Sequence, residues 1–457
     1  MARLATSPLL VDLYELTMGQ AYFDAGLADR QATSDLFYRT LPAGWGYLLA
    51  GGLEFALAYL EELSFADDEV AYLESTGLFT PPFLDHLRAL RFTGTVRAMP
   101  EGTLLFPGEP ALEVTAPVIE AQLVETVLLN ELHLSSLIAG KAARCVDVAE
   151  GQMLVDFGLR RAHGGEAGLK AARAAFLAGF DATSNVLAGR EYGIPTAGTM
   201  AHSFVESFAS EETAFRAYAR SYPNHSILLV DTYDTRQGIR RAVETGRELA
   251  TRGSRLTGMR LDSGDLVDLS LEARALLDEA GFEDALVFAS GGLDERDVAA
   301  LLEAGAPIGG FGIGTKMVVS ADAPYLDMAY KLVEFGGRPT MKLSTGKATL
   351  PGRKQVWRVI ADEHFAFDVV EREGAPGPDG AEPLLAEVMR GGRHLGADTL
   401  QDARERAAAQ RERLPSEHRR LDATPYDVRI GPELRALADE VRATAGSGAG
   451  SGGQRRV

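Results

Sequence analysis

Apolar and polar positions change period along the chain, and the changes mark its elements. In residues 9–26, LLVDLYELTMGQAYFDAG, Leu9, Leu13, Leu16 and Met18 leave Asp12, Tyr14 and Glu15 on other faces, which predicts a helix. Residues 34–40 alternate as a strand and run into the turn Pro42-Ala43-Gly44-Trp45-Gly46. Residues 51–63 predict an amphipathic helix, and 73–90 a loop and helix started by Pro81 and Pro82. From 94 to 115 the period becomes two, and Pro100, Gly102, Pro107, Pro110 and Pro117 cut the run into short strands of a small antiparallel sheet. A long helix is expected over 118–148, broken near Gly140.

After residue 150 strand and helix alternate. Strands are predicted at 153–156, 194–197, 227–231, 258–262, 286–290 and 308–312, and helices at 166–178, 204–219, 235–251, 265–280 and 294–304. Such alternation means parallel strands joined by crossover helices, and a barrel or a doubly wound sheet satisfies it equally. Polar residues recur at the C-terminal strand ends: Asp156, Thr199, His202, Asp231, Arg260, Asp262, Ser290 and Gly312. A barrel would bring them together on one rim, whereas an open sheet would spread them along an edge. Residues 325–360 return to short strands and 399–413 read as a charged helix. From 445 the composition AGSGAGSGGQRRV predicts no fixed structure.

Composition narrows the partners. At 457 residues, 46% hydrophobic and 24% charged, the chain is an ordinary globular one with room for one large or two modest domains. A net charge of −19 disfavours nucleic acid and anionic lipid. It leaves room for small phosphorylated ligands, since local amides and arginines bind them. The single cysteine, Cys145, excludes an intramolecular disulfide and sits in an apolar helical context that reads as an inert buried thiol. No run approaches a membrane span, and no signal peptide precedes the first helix, so the cytoplasm is the expected compartment.

Several constellations bear chemistry, each with a plainer reading beside it. Asp156-Phe157-Gly158-Leu159-Arg160-Arg161 offers paired arginines for a carboxylate or phosphate, or a solvated pair at a helix start. Gly198-Thr199-Met200-Ala201-His202-Ser203 ends an apolar run with a histidine that is either functional or structural. Asp231 and Asp262 head strand-end acid clusters that suit Mg²⁺ through its waters or ribose hydroxyls. Asp262 or Ser263 equally fits the N-cap of the following helix. Glycines at Gly291, Gly292, Gly312 and Gly314, with Thr315, place backbone amides where a phosphate can meet them. The lysine at 316 lacks the glycine spacing of a Walker A loop.

VDLYELTMGQAY, DFGLRRAHG, FDATSNVLAG, GTMAHSF, VDTYDT, RLDSGDL and GFGIGTKM occur in this order over residues 11–317. Together they resemble the nicotinate phosphoribosyltransferases. The resemblance implies an α/β fold: an irregular (β/α) barrel over 131–330, and an α+β domain made of residues 1–130 completed by about 330–440. It implies a homodimer with shared active sites. It also implies a reaction of nicotinate with 5-phosphoribosyl 1-pyrophosphate that gives nicotinate mononucleotide and pyrophosphate, with coupled ATP hydrolysis and Mg²⁺, in NAD salvage. By the same resemblance Tyr14 reaches nicotinate from the neighbouring subunit and Phe157 stacks on its ring. Thr199, Arg260 and Arg160 belong to the nicotinate site, and His202 is the histidine phosphorylated by ATP. Asp231 and Asp262 surround ribose and metal, and Gly291, Gly292, Gly312, Gly314 and Thr315 cradle the 5-phosphate.

Ser184 stands where amide-using relatives carry an acid, which would repel a carboxylate substrate. Ser184 and Ala201 therefore weigh against a nicotinamide phosphoribosyltransferase. A quinolinate-type enzyme would want more cationic groups for its second carboxylate. A non-catalytic ligand-binding relative would have no need to retain His202, both acids and both glycine loops.

Overall fold

The computed structural model describes residues 7–344, 349–396 and 398–448. The chain divides into two compact units, one of Met1–Leu137 with Tyr325–Val457 and one of Ile138–Pro324.

The second unit is built on six parallel strands, Met153–Asp156, Ala182–Thr183, Ile227–Leu229, Gly258–Leu261, Leu286–Ala289 and Gly310–Ile313. Across the sheet they run in the order Ala182–Thr183, Met153–Asp156, Gly310–Ile313, Leu286–Ala289, Gly258–Leu261, Ile227–Leu229. The first long strand of the unit is therefore paired with its last, Val155 opposite Gly312 and Asp156 opposite Ile313. One further parallel bridge joins Thr183 to Thr196. Leu228, Leu229, Met259, Leu261, Val287 and Ala289 are all buried, as expected when crossover helices cover a parallel sheet.

Those helices begin on side-chain caps. Asp234 accepts from the Gln237 amide, Asp265 from Val267 and Asp268, and Asp294 from Arg296 and Asp297. Each satisfies donors that the first helical turn leaves unpaired. Asp265, not Asp262 or Ser263, is thus the cap of the helix Leu266–Glu279, which leaves those two side chains for other work.

Some predicted elements move. The strand expected at 194–197 is reduced to the Thr196 bridge, because Pro195 has no N–H to give a ladder; its place beside Met153–Asp156 is taken by Ala182–Thr183. The helix expected over 204–219 is two, His202–Glu206 and Glu211–Ser221, the second capped by Ser210. The long helix is interrupted at Val124 between Val118–Leu123 and Glu125–Val148, and passes through Gly140 unbroken. An interior glycine costs a helix only about 1 kcal/mol, which the surrounding packing outweighs. The helix Pro432–Gly448 runs into the stretch expected to lack structure, and the remainder of that stretch lies outside the described residues.

The first unit carries a seven-stranded sheet in the order Arg338–Pro339, Asp327–Phe335, Gln31–Thr40, Pro110–Pro117, Thr95–Ala98, Ala386–Arg390, Arg393–His394. C-terminal strands therefore lie on both sides of N-terminal ones. A second sheet of Glu382–Pro383, Lys354–Ala361, His364–Arg372 and Val428–Ile430 is formed entirely from the C-terminal part.

Candidate active site

Parallel strands end on one side of their sheet, and the second unit collects its polar residues there. Asp156 closes its strand as a buried acid. One of its oxygens accepts from the Thr183 hydroxyl at 2.7 Å and the other from the Gly158 amide at 2.7 Å. Burial raises its pKa, and these two bonds oppose the shift. The bonds pin the turn that carries Phe157. The Phe157 ring lies 5.8 Å from Phe288, over a small core of Val155, Ala182 and Phe288.

Arg260 stands over that ring, its guanidinium carbon 5.3 Å from the centroid. It is held on every nitrogen. Nε donates to Ser290 Oγ at 2.8 Å, one terminal nitrogen to Thr199 Oγ1 at 3.0 Å and the Met200 carbonyl at 3.4 Å, and the other to Asp262 Oδ1 at 2.6 Å. Four bonds from five N–H groups leave one donor for a ligand. Ser290 also donates to Asp262. Burial alone would raise the Asp262 pKa; the bonds from Ser290 and Arg260, with the charges of Arg260 and His202, outweigh it and hold the group below the usual carboxylate range.

Asp231 follows the next strand and is buried. Its Oδ2 accepts from the Asp262 amide at 3.1 Å and the Ser263 hydroxyl at 2.5 Å, while its Oδ1 has no protein partner. His202 opens the helix His202–Glu206, with Nδ1 3.1 Å from Thr232 Oγ1 and Nε2 3.7 Å from Asp262 Oδ2.

The structure thus brings Phe157, Thr199, His202, Asp231, Arg260 and Asp262 into one linked cluster. Ser184 is half-buried and ties its amide to the Asp156 carbonyl at 2.8 Å. Arg160 is exposed in the turn Leu159–Arg161. Tyr14 belongs to the first unit, exposed with Leu13 and Met18 on the helix Leu13–Asp24.

The glycines divide by what surrounds them. A side chain at Gly312 would run into the Phe157 ring, and one at Gly314 would meet the Phe157 carbonyl oxygen at 2.9 Å. Gly291, at φ +106°, would press a Cβ to 2.0 Å from the Asp262 carbonyl oxygen. Only Gly292 of these four, at φ +76°, faces open space. Close packing inside the protein therefore accounts for three of the glycines whether or not a phosphate binds. Thr315 is exposed at the head of a single helical turn, and Lys316 is paired with Asp294 at 2.9 Å and Asp297 at 2.8 Å.

Thr183, Thr232, Ser263 and Ser290 are the polar residues whose roles in the cluster the sequence did not reveal. Each hydroxyl lies at or just past a strand end, which is the one signal that marks them.

Residues 9–133 match the model of the nicotinate phosphoribosyltransferase N-terminal domain, and 152–353 match that of the nicotinate phosphoribosyltransferase family. The chain belongs to the nicotinate phosphoribosyltransferase family. It is 48% identical to the nicotinate phosphoribosyltransferase pncB2 of Mycobacterium tuberculosis, over 95% of this chain and 93% of that one. The crystal structure of human nicotinic acid phosphoribosyltransferase superposes with a TM-score of 0.85 at 33% identity, covering 94% of this chain and 99% of that one. A nicotinate-nucleotide pyrophosphorylase from Pyrococcus furiosus superposes at 0.71 with 25% identity, covering 90% and 96%. The buried Cys145 thiol, its pKa driven up by burial, fits the inert reading. No helix among the described residues is long and apolar enough to cross a membrane.

Proposed function

We propose that this chain transfers the phosphoribosyl group of 5-phosphoribosyl 1-pyrophosphate to the ring nitrogen of nicotinate, releasing pyrophosphate, in NAD salvage. The observation that carries the reading is the Arg260 guanidinium poised over Phe157 with one donor unspent, a place for a flat anionic ring. Nicotinate stacks on Phe157 and directs its carboxylate to Arg260, with Thr199 and Arg160 in the same site. Ser184 and Ala201 present no acid to that carboxylate. Tyr14, with its exposed apolar neighbours on one helix, is offered to a second copy of the chain, so that a homodimer shares its sites.

The pyridine nitrogen is already a nucleophile, and bond formation needs no general base. Positive charge develops on the ribose ring as the carbon–oxygen bond to pyrophosphate breaks. Asp231 and Asp262 face that charge, and positioning and electrostatics provide most of the rate. The amides around Gly291, Gly292, Gly312 and Gly314, with Thr315, take the 5-phosphate, Gly292 being the most open to it. Among the described residues no group of three or more potential ligands forms a protein metal cage. The unpartnered Asp231 Oδ1 instead fits the water of a hydrated Mg²⁺ held by Asp231 and Asp262. Such an ion would neutralise the departing pyrophosphate.

ATP enters through His202. The neutral imidazole attacks the γ-phosphorus, the bond to the β-phosphate oxygen breaks and ADP leaves. The cyclic order of the six strands, first beside last, supports an irregular (β/α) barrel with all of these residues on one rim.

The test is mononucleotide formation from nicotinate, nicotinamide and quinolinate, each with and without ATP. The expected result is turnover of nicotinate, stimulated by ATP, with the other two far behind. Preference for either of the others, or turnover of none, refutes the proposal.

A further inference from the structure

The two glycine loops of the second unit follow neighbouring strands. Leu286–Ala289 and Gly310–Ile313 pair in parallel, with Phe288 opposite Gly310 and Ala289 opposite Phe311. The first strand leads through Gly291 and Gly292 into the helix Glu295–Glu303. The second leads through Gly314 into the single turn Thr315–Val318. That turn closes on two backbone bonds, from the Val318 amide to Gly314 and from the Val319 amide to Thr315. A helix so short has little stability of its own and takes its place from what it is tied to.

Its tie is Lys316. The ammonium pairs with Asp294 Oδ2 at 2.9 Å and Asp297 Oδ2 at 2.8 Å. These two acids form the capping box of the neighbouring helix. Asp294 Oδ1 accepts from the Arg296 and Asp297 amides, and Asp297 Oδ2 accepts from the Asp294 amide. Lys316 therefore grips two carboxylates that the backbone already holds in place. The gripped helix is itself anchored. Buried Glu295 takes Lys141 at 2.7 Å and Arg144 at 3.1 Å, and Lys141 also takes Asp322 at 2.5 Å, just beyond the short turn. The segment that carries Gly314 and Thr315 is fastened on both sides to the helix that follows Gly291 and Gly292.

A lone exposed ion pair contributes little, because two mobile side chains must be ordered to make it. Here only the lysine has to be ordered. We propose that Lys316 is a positioning residue for the phosphate cradle: it fixes the spacing of the two glycine loops whose amides meet the 5-phosphate. The purpose rests on the reading of those loops as the cradle. The tie itself does not.

The experiment uses the full-length protein and compares wild type with Lys316→Met, Lys316→Arg and Asp297→Asn. Lys316→Gln replaces the methionine variant if that protein does not fold. Hydrogen exchange of the two loops without ligand reads the tie, and steady-state kinetics read its purpose. Lys316→Met is expected to exchange faster in both loops. Its Michaelis constant for 5-phosphoribosyl 1-pyrophosphate should rise roughly three- to tenfold while that for nicotinate stays within about twofold, as for a displaced binding group. Arginine, which can reach both carboxylates, should restore both readouts. Asp297→Asn separates positioning from direct contact. If Lys316 touched the phosphate itself, this change would free the ammonium and remove a negative charge, and phosphoribosyl pyrophosphate would bind more tightly. Positioning predicts weaker binding. Unchanged exchange in Lys316→Met overturns the proposal, as do tighter binding in Asp297→Asn and an equal rise of both Michaelis constants in Lys316→Met. Loosened loops with an unchanged constant for phosphoribosyl pyrophosphate support the tie and overturn only the assignment of the 5-phosphate to these loops.

Discussion

Gly291 shows how tightly the residue scale is constrained. Its φ of +106°, and the 2.0 Å that would separate a Cβ there from the Asp262 carbonyl oxygen, exclude a side chain without movement of Asp262. Asp262 holds Arg260, so the shift would propagate to the guanidinium above Phe157. Gly291→Ala is expected to lower kcat/KM for nicotinate by roughly tenfold or more, as backbone strain of about 1–3 kcal/mol is relieved by displacing the site. Gly292→Ala, with open space around it, should cost less. Steady-state kinetics of both variants check this, and the reverse ranking would assign the larger role to phosphate contact at Gly292. Arg260→Lys is expected to behave like a deletion. A single ammonium cannot span Ser290, Thr199 and Asp262 at once, and the Michaelis constant for nicotinate should rise by roughly tenfold or more. A constant within twofold of wild type would remove Arg260 from carboxylate recognition. Phe157, His202, Asp231 and Asp262 were legible as residues because each is a distinctive type at a strand end. Ser290 was legible as a strand-end residue but its bond to Arg260 was not, and neither was the contact of Thr232 with His202. Serine and threonine are common everywhere, and their partners His202 and Arg260 lie 30 residues away in each case.

At the scale of elements, the sequence marked the long strands and their helices by period, and misled where one residue's chemistry overrides the pattern. Pro195 turns an apolar run into a single bridge, and Ser210 starts a new helix inside what looks like one. The acids were ambiguous for a related reason. Two carboxylates lie near the start of each of the helices Thr235–Ala250 and Leu266–Glu279, and spacing alone cannot say which one caps. The structure gives capping to Asp234 and Asp265 and releases Asp231 and Asp262 to the cluster. The two roles separate experimentally. Asp265→Ala should lose about 1 kcal/mol of stability and little activity. Asp262→Ala should lose activity by orders of magnitude, because Arg260, Ser290 and His202 all address that carboxylate. Urea unfolding and turnover measured on both proteins check the division, and a large activity loss in Asp265→Ala would contradict it.

At the scale of the whole molecule, pairing between distant segments was beyond reading by period. Gln31–Thr40 lies between Pro110–Pro117 and Asp327–Phe335, and nothing local in either strand names the other. Only the family resemblance foretold a C-terminal return. That returning chain brings charge into the interior of the first unit. Arg358 and Asp368, both fully buried, pair at 2.6 Å, and Tyr426 donates to the same carboxylate at 3.1 Å. Glu109 is buried beside them. Burial, then the Asp368 charge and a hydrogen bond to it, push the Glu109 pKa well above the ordinary range against the opposing pull of Arg358. Glu109 is therefore protonated in the folded protein under conditions where the unfolded chain has lost that proton. Its folded pKa is raised, so its contribution is fully present below the unfolded value and is lost as pH rises through the folded one. Glu109→Gln keeps the shape and a donor for Asp368 but removes the titration. Relative to wild type, the glutamine variant should gain stability progressively as pH rises from about 4.5, and the gain should level off once Glu109 ionises in the folded state. Melting temperatures of both proteins from about pH 5 to about pH 9 measure the difference. Parallel curves would mean that Glu109 titrates alike in the folded and unfolded chains, and that its proton plays no part in holding the returning strands.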